Sequence, residues 1–160
     1  MKAMLSKAPG GADTLVLEEV ADPTPRPGEA VIDVRACGIN FPDSLIIEDR
    51  YQYKPVRPFS PGGEVSGVVS AVASDVSGLK IGDRVLASVG WGGMAEKVKA
   101  PAENCTLIPD SMPYDEAAVL TITYGTSYYA LKQRAALAPG ETLLVLGAAG
   151  GVGIAAVELG

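Results

Sequence analysis

A glycine-rich turn near residue 150 carries the clearest chemical signal in this chain. Residues 142–146 form a short apolar run, residues 147–153 read Gly-Ala-Ala-Gly-Gly-Val-Gly, and another apolar segment follows. A buried strand, a glycine turn and a helix start in this order indicate a dinucleotide-binding element. The glycines let the backbone approach a pyrophosphate, and the helix N-terminus holds that anion. We expect the pyrophosphate to contact five consecutive residues, Ala149, Gly150, Gly151, Val152 and Gly153. The alternative is a tight strand–helix turn whose glycines serve packing only.

The dinucleotide-binding element is incomplete within this sequence. A strand–helix–strand unit needs roughly 30 residues or more, and the sequence stops at Gly160. The acidic residue that recognises the adenosine ribose is expected about 20 residues beyond the glycine turn. We therefore predict the opening strand and helix of a truncated Rossmann domain, in which a preference for NAD or NADP cannot be read.

The absence of histidine restricts the chemistry. The 160 residues contain no histidine, and their only cysteines are Cys37 and Cys105. Catalytic zinc usually takes three protein ligands that include histidine, and structural zinc takes four from cysteine and histidine. We therefore predict no metal site. Histidine-dependent triads and general bases are excluded as well, which leaves a bound cofactor or the side chains of Tyr, Asp, Glu, Lys and Cys.

Composition and charge limit the kinds of partner that we expect this protein to bind. The net charge of −6 argues against binding to nucleic acid or to an anionic membrane. No segment approaches the roughly 20 apolar residues of a membrane span. Two cysteines give no disulfide framework and favour a reducing compartment, so we expect a cytoplasmic protein that acts on a small molecule. Association into a homo-oligomer is left open.

Most of the chain has the pattern of a β-domain. Short runs rich in β-branched residues predict strands at 30–36, 64–72, 84–89 and 94–100, as in a sandwich or small barrel. In the second run, Gly67 marks a bulge or a close backbone approach. A short helix is predicted at 41–49 and a proline-rich loop at 51–61. Two further helices are predicted at 115–121 and 125–136, separated near residues 123–125.

Five motifs in a fixed order resemble the medium-chain dehydrogenase/reductase superfamily, and within it the zinc-free quinone oxidoreductase branch. They span 37–43, 61–69, 80–85, 124–128 and 147–153. The resemblance implies a GroES-like β-barrel catalytic domain at 1–122. A linker helix and the start of a Rossmann domain follow at 123–160, with substrate and nicotinamide between the two domains. Zinc-dependent relatives carry histidine where this chain has Gly63, although Cys37 and Glu64 remain.

The resemblance also assigns roles to individual residues. Tyr51 matches a tyrosine facing the nicotinamide, which orients substrate or relays a proton; the alternative is a loop tyrosine that packs its ring. Asn40 matches a position where an amide bonds a ribose hydroxyl or a substrate carbonyl, and it is also a favoured helix cap. Thr123 and Thr126 match residues near the nicotinamide, with local helix capping as the alternative.

Other polar residues have plainer interpretations. Asp43 is expected to be a solvated carboxylate, with positioning of Tyr51 or Lys54 as the alternative. Cys37 is expected to be a buried small residue, and Glu64 a structural partner within the barrel.

Three functions stay open at this point. The resemblance implies an NADPH-dependent oxidoreductase that transfers hydride to a quinone or an α,β-unsaturated carbonyl without zinc. An enoyl-thioester reductase of the same superfamily would need a basic groove, for which Lys54 and Arg57 are candidates. A different class is a catalytically inactive, isolated GroES-like domain that serves as a binding or interaction module.

Overall fold

The chain folds as two compact units in a computed structural model that describes residues 1–160. The first unit is Met1–Val119 and the second is Leu120–Gly160. The division therefore falls next to Val119, close to the predicted boundary at 122/123. No helix in either unit is both long enough and apolar enough to traverse a membrane.

The first unit is built mainly from antiparallel strands. Its seven strands are β1 (Lys2–Leu5), β2 (Val16–Glu19), β3 (Glu29–Gly38), β4 (Glu64–Val72), β5 (Arg84–Ser88), β6 (Lys97–Pro101) and β7 (Cys105–Leu107). Five of them form one sheet in the order β6-β3-β4-β5-β7, and β1 pairs with β2 in a separate ribbon. Isolated bridges from Ala3 to Ala95 and from Ser6 to Phe59 tie the ribbon's first strand to the rest of the unit.

The four strands predicted for the β-domain all form, and one of them begins later than predicted. The run predicted at 94–100 becomes β6 only from Lys97 onward. Its first residues bond instead to the N-terminal strand, where Met4 N–H donates to the Met94 carbonyl and Glu96 N–H donates to the Lys2 carbonyl. A local exchange of partners therefore shortens the strand.

Alternating apolar side chains of β3, β4, β5 and β6 form the core. Its fully or nearly fully buried members are Ala30, Ile32, Val65, Val69, Val85, Ala87, Val98 and Ala100. β3 and β4 approach each other closely at Gly67, since a Cβ there would stand 2.1 Å from the Asp33 carbonyl oxygen. The register between these strands shifts next to it, between Val34 and Ala36. The predicted close backbone approach at Gly67 is confirmed.

Two short helices accompany the sheet. Helix α1 (Phe41–Ile47) follows β3 directly, and helix α2 (Tyr114–Ala118) packs on β3, β4 and β5. α1 begins with Pro42 in its first turn, where proline costs no hydrogen bond. It ends before Asp49, whose positive φ of 58° leaves the helical conformation.

The second unit differs from the sequence prediction in two places. Helix α3 (Leu120–Tyr128) runs through the predicted break at 123–125, and a π-helical stretch, Tyr129–Arg134, continues it. Gly125 is tolerated inside the helix because an isolated helical glycine costs only about 1 kcal/mol. The predicted strand at 142–146 pairs with no other strand, and Leu144 and Leu146 are 82% and 86% exposed. A β-strand needs a neighbouring strand as its hydrogen-bond partner, and the second unit has no other strand.

We predict that Gly67→Ala destabilises the first unit by about 2 kcal/mol or more, because the added methyl group meets backbone that cannot rotate away. Gly125→Ala is the matched control, since a Cβ there meets nothing within 4 Å and alanine favours helix. Urea unfolding followed by the fluorescence of Trp91, the single tryptophan, measures the first effect. Far-UV circular dichroism measures the helix content of the control variant Gly125→Ala. Equal stability of Gly67→Ala and the parent chain would contradict the prediction.

Candidate functional site

Asn40 stands at the junction of β3 and α1. It is the N-cap of α1, with extended backbone angles, and its own carbonyl accepts from Asp43 N–H at 3.0 Å. The Asp43 carboxylate reaches back and accepts from Asn40 N–H at 2.8 Å. This is the carboxylate half of a capping box, which fixes where the helix starts. The capping role expected of Asn40 is therefore present.

The Asn40 side chain is also held by Glu64. Its amide nitrogen Nδ2 donates to Glu64 Oε1 at 2.8 Å, and Glu64 is only 1% exposed. Glu64 pairs across the sheet with Gly38. A Cβ on Gly38 would stand 2.6 Å from that same carboxylate oxygen, so the missing side chain makes room for Glu64. The capping role and the tertiary hydrogen bond use different atoms of Asn40.

Asp43 differs from its expectation as a solvated carboxylate. It is buried, and its second oxygen accepts from Gly62 N–H at 3.2 Å. The side chain therefore links α1 to the segment before β4, and its hydrogen bonds go to backbone N–H groups and not to Tyr51 or Lys54. The Asn-x-x-Asp spacing at 40–43 was the sequence signal for this role, since it is a capping-box pattern.

Cys37 lies beside these two carboxylates. Burial raises the pKa of its thiol to about 12, and the negative charges of Asp43 and Glu64 add to that effect. The thiol is therefore protonated near neutral pH and is no nucleophile. A Cβ on Gly62 or Gly93 would approach its sulfur to 2.5 and 2.8 Å, so close packing surrounds it. No three His, Cys, Asp or Glu side chains converge in a way that holds a metal ion.

Tyr51 lies in the loop that follows α1. Its ring is half-buried and packs against a small cluster of Ile46, Ile47 and Phe59. The ring of Tyr53 is tilted at 58° to it with the centroids 5.7 Å apart. The packing anticipated for a loop tyrosine is thus present, and its role toward a ligand stays a prediction.

The glycine turn leads directly into helix α4 (Gly151–Leu159), with Gly150 as its N-cap. Gly147 adopts a positive φ of 71°, which favours glycine. A Cβ on Gly153 would stand 2.2 Å from the Gly147 carbonyl oxygen, so α4 packs closely against the glycine turn that precedes it. At Gly150 the nearest atom to a Cβ would be 3.5 Å away. Packing therefore requires glycine at 153, whereas Gly150 is free to serve another purpose.

The first turn of α4 leaves donors available. The first helical bond runs from Ile154 N–H to the Gly150 carbonyl. The N–H groups of Gly151, Val152 and Gly153 precede it and have no acceptor within the helix. Together with the positive end of the helix dipole, they fit the phosphates of a dinucleotide.

The two predicted threonines of α3 differ in their surroundings. Thr123 packs toward α4, where a Cβ on Gly151 would lie 3.0 Å from its methyl group. Thr126 is exposed. The buried residue Ser127, which sequence reasoning missed, donates through Oγ to the Val152 carbonyl at 2.7 Å. Its spacing of four from Thr123 was the available signal, because such residues share a helix face.

Comparison with known proteins identifies the class. Residues 26–110 match the alcohol dehydrogenase GroES-like domain, and the chain belongs to that family. The predicted resemblance to the medium-chain dehydrogenase/reductase superfamily and its zinc-free quinone oxidoreductases is confirmed. The predicted fold class, a GroES-like domain followed by the start of a second domain, is confirmed as well.

Individual relatives make the similarity specific. Quinone oxidoreductase-like protein 2 of Bos taurus is 43% identical over 145 residues, which is 91% of this chain and 42% of that protein. The human synaptic vesicle membrane protein VAT-1 homolog-like protein superposes with a TM-score of 0.96 at 40% identity, over 99% of this chain and 52% of that one. The quinone oxidoreductase of Thermus thermophilus, solved also as a complex with NADPH, superposes with a TM-score of 0.86 at 38% identity, over 99% of this chain and 49% of that one. This chain thus spans about half the length of these relatives.

We predict that both native thiols react slowly with iodoacetamide between pH 8 and 10. Burial raises the pKa of Cys105 to about 11, compared with about 12 for Cys37 and 9.0 for an unperturbed thiol. A raised pKa keeps the proton on sulfur, so native Cys37 should react at least about a hundredfold more slowly than in denaturant. Single-cysteine variants Cys105→Ser and Cys37→Ser separate the two rates. Faster alkylation of native Cys37 than of native Cys105 would be the contrary result.

Proposed function

We propose that this chain is part of an NADPH-dependent oxidoreductase that reduces a quinone or an α,β-unsaturated carbonyl without a metal. The observation that carries the proposal is the glycine turn at 147–153, which packs tightly at Gly153 and leaves the donors of Gly151, Val152 and Gly153 outside the bonds of α4. Quinone oxidoreductases of similar fold have been solved with NADPH bound, which supports the same cofactor here.

In this proposal the cofactor and the protein have separate roles. NADPH, when bound, supplies the hydride, and the protein supplies binding, orientation and exclusion of water. Residues 149–153 hold the pyrophosphate, and Thr123 and Thr126 contact the nicotinamide part. Asn40 bonds a ribose hydroxyl or the substrate carbonyl through its amide. Tyr51 orients the substrate or passes a proton to the reduced product through its hydroxyl.

The donor set supports the proposed independence from zinc. With Gly63 in the position that relatives fill with histidine, and no histidine anywhere in the sequence, Cys37 and Glu64 lack a third partner of the usual kind. Quinones and enones suit such a site, because the anion formed by hydride addition is delocalised and needs no Lewis acid.

One structural comparison supports the alternative of an enoyl-thioester reductase, and the contacts of Arg57 oppose it. The CurK enoyl reductase superposes with a TM-score of 0.89 at 31% identity, over 99% of this chain and 50% of that one. However, the Arg57 guanidinium already bonds Asp49 at 2.7 Å and the Ile47 carbonyl at 2.9 Å. Only exposed Lys54 remains of the two predicted phosphate contacts, so we favour the quinone or enone substrate.

The non-enzymatic alternative is based on the second unit. Leu144 and Leu146 expose most of their surface, and exposed apolar side chains favour association with another surface. A folded chain that neither binds nor oxidises NADPH but self-associates would fit the interaction-module hypothesis, in which a homo-oligomer is the simplest partner.

The cytoplasm stays the proposed location. Cys37 and Cys105 are free thiols, and unpaired cysteines suit a reducing compartment.

We predict saturable NADPH binding by the 160-residue chain and quinone-dependent loss of NADPH absorbance. Gly150→Asp should abolish both, because it places a negative charge where the pyrophosphate would bind. Val157→Asp is the matched control, since it adds the same charge at an exposed site later on α4. Fluorescence titration with NADPH and absorbance at the nicotinamide band are the two measurements.

The possible outcomes separate the hypotheses. Loss in Gly150→Asp with retention in Val157→Asp supports the cofactor site. Equal binding in both variants would mean that the turn serves packing only. A folded parent chain with neither binding nor oxidation would refute the enzyme proposal for this chain.

We predict that Tyr51→Phe lowers kcat by about tenfold to a hundredfold while KM for the quinone changes little, as expected when a proton donor is lost. Phenylalanine keeps the ring that packs on Ile46 and Ile47. Tyr53→Phe is the matched control, because Tyr53 is an exposed neighbour in the same loop. Steady-state kinetics of NADPH oxidation decide the matter, and similar kcat values for both variants would exclude a proton-relay role.

A further inference from the structure

Two buried carboxylates hold the two kinds of N–H group that Asn40 carries. Asp43 accepts from its backbone N–H at 2.8 Å, and Glu64 accepts from its side-chain Nδ2 at 2.8 Å. Asp43 lies on α1 and Glu64 lies on β4, so the residue is fixed by a local partner and by a distant one. The first bond is enough to start the helix. The second bond ties the Asn40 side chain to the sheet.

The chemistry of the carboxylate determines how the amide is turned. An ionised carboxylate only accepts hydrogen bonds, whereas an asparagine amide has one donating end and one accepting end. Glu64 therefore selects the NH₂ end of Asn40 and opposes rotation of the amide by half a turn. Without such a partner, a terminal amide rotates broadly about its last torsion.

Placing Glu64 at this position is costly for the fold. Burying a carboxylate is unfavourable unless hydrogen bonds compensate it. Its space requires glycine at 38, because a Cβ there would lie 2.8 Å from Glu64 Cγ and 2.6 Å from the Ala118 carbonyl oxygen. An aliphatic side chain would fill the same volume without a charge. The geometry gives the carboxylate a role that an aliphatic residue lacks, namely control of the Asn40 amide.

We propose that Glu64 is a positioning residue that acts through Asn40, holding the amide in the one orientation that recognises the bound nicotinamide nucleotide or substrate. This inference rests on the proposed function, since it takes Asn40 as a ligand contact. Glu64 itself touches no ligand in this proposal. The negative charges of Glu64 and of Asp43 from α1 both act on the Cys37 thiol of β3.

A reversed pair tests the contact without any ligand. Asn40→Asp alone sets two carboxylates against each other and should lower the urea midpoint of unfolding. Adding Glu64→Gln supplies a donating amide to the new carboxylate and should recover most of the loss. Additive effects of the two substitutions would overturn the inference that Glu64 orients Asn40.

Ligand binding tests the consequence. Glu64→Leu should weaken NADPH binding about tenfold, the size expected for losing one charge-assisted hydrogen bond, and should shift the Asn40 side-chain amide signal in a ¹⁵N spectrum. Glu64→Gln keeps an acceptor and should stay within about threefold of the parent. Asp43→Asn removes a neighbouring charge and keeps one oxygen that can accept from Asn40 N–H, so the amide signal should move far less than in Glu64→Leu.

The outcomes distinguish this inference from the proposed function. Unchanged NADPH affinity in folded Glu64→Leu would overturn the positioning role. If the parent chain binds no NADPH, the proposed function fails and the ligand role fails with it, while the reversed pair still decides whether Glu64 holds Asn40. If Glu64→Leu does not fold, the test uses Glu64→Gln, for which NADPH affinity and the Asn40 amide signal are both measured. A large loss of NADPH affinity in Glu64→Gln without any shift of the Asn40 amide signal would contradict the proposal.

Discussion

The burial of the Glu64 carboxylate is the constraint around which the first unit is organised. A charge removed from water must be met by donors, and Asn40 supplies one of them at 2.8 Å. That bond joins the start of α1 to the start of β4, two elements that are separated by the proline-rich loop. It also requires Gly38 on the neighbouring strand, since any side chain there would occupy the space of the carboxylate. The orientation of the Asn40 amide and the need for glycine at 38 thus depend on one acidic side chain.

Glycine serves a related purpose at other positions. At Gly67 two strands approach so closely that a Cβ would stand 2.1 Å from the Asp33 carbonyl oxygen, and at Gly153 the corresponding distance to the Gly147 carbonyl oxygen is 2.2 Å. Both are backbone contacts, which cannot be relieved by a change of rotamer. Gly150 has no such neighbour, and this difference separates glycines that the fold needs from a glycine that is available for a ligand. A motif written only as repeated glycines does not contain that distinction.

The sequence predicted local features well where one residue type has a dominant physical role. Asn40 as a helix cap, Gly67 as a close approach and the glycine turn before α4 all follow from backbone sterics and from unsatisfied N–H groups. It predicted poorly where a partner decides the outcome. The run at 142–146 has strand composition but pairs with no strand, and Gly125 lies within α3 although glycine often breaks helices. Asp43 looked like a solvated carboxylate and is buried against two N–H groups.

By itself, the sequence determined the family, the mixed fold, the glycine turn and the lack of histidine ligands, because residue identity and spacing along the chain are sufficient for each of these. Only the tertiary structure decided that Glu64 holds the Asn40 amide, that Asp43 bridges to Gly62, and that Cys37 keeps its proton with a pKa of about 12. The physical reason is that these properties arise from burial and from contacts between residues far apart in sequence. Desolvation and a hydrogen-bond partner on another strand are set by packing, and composition does not record them.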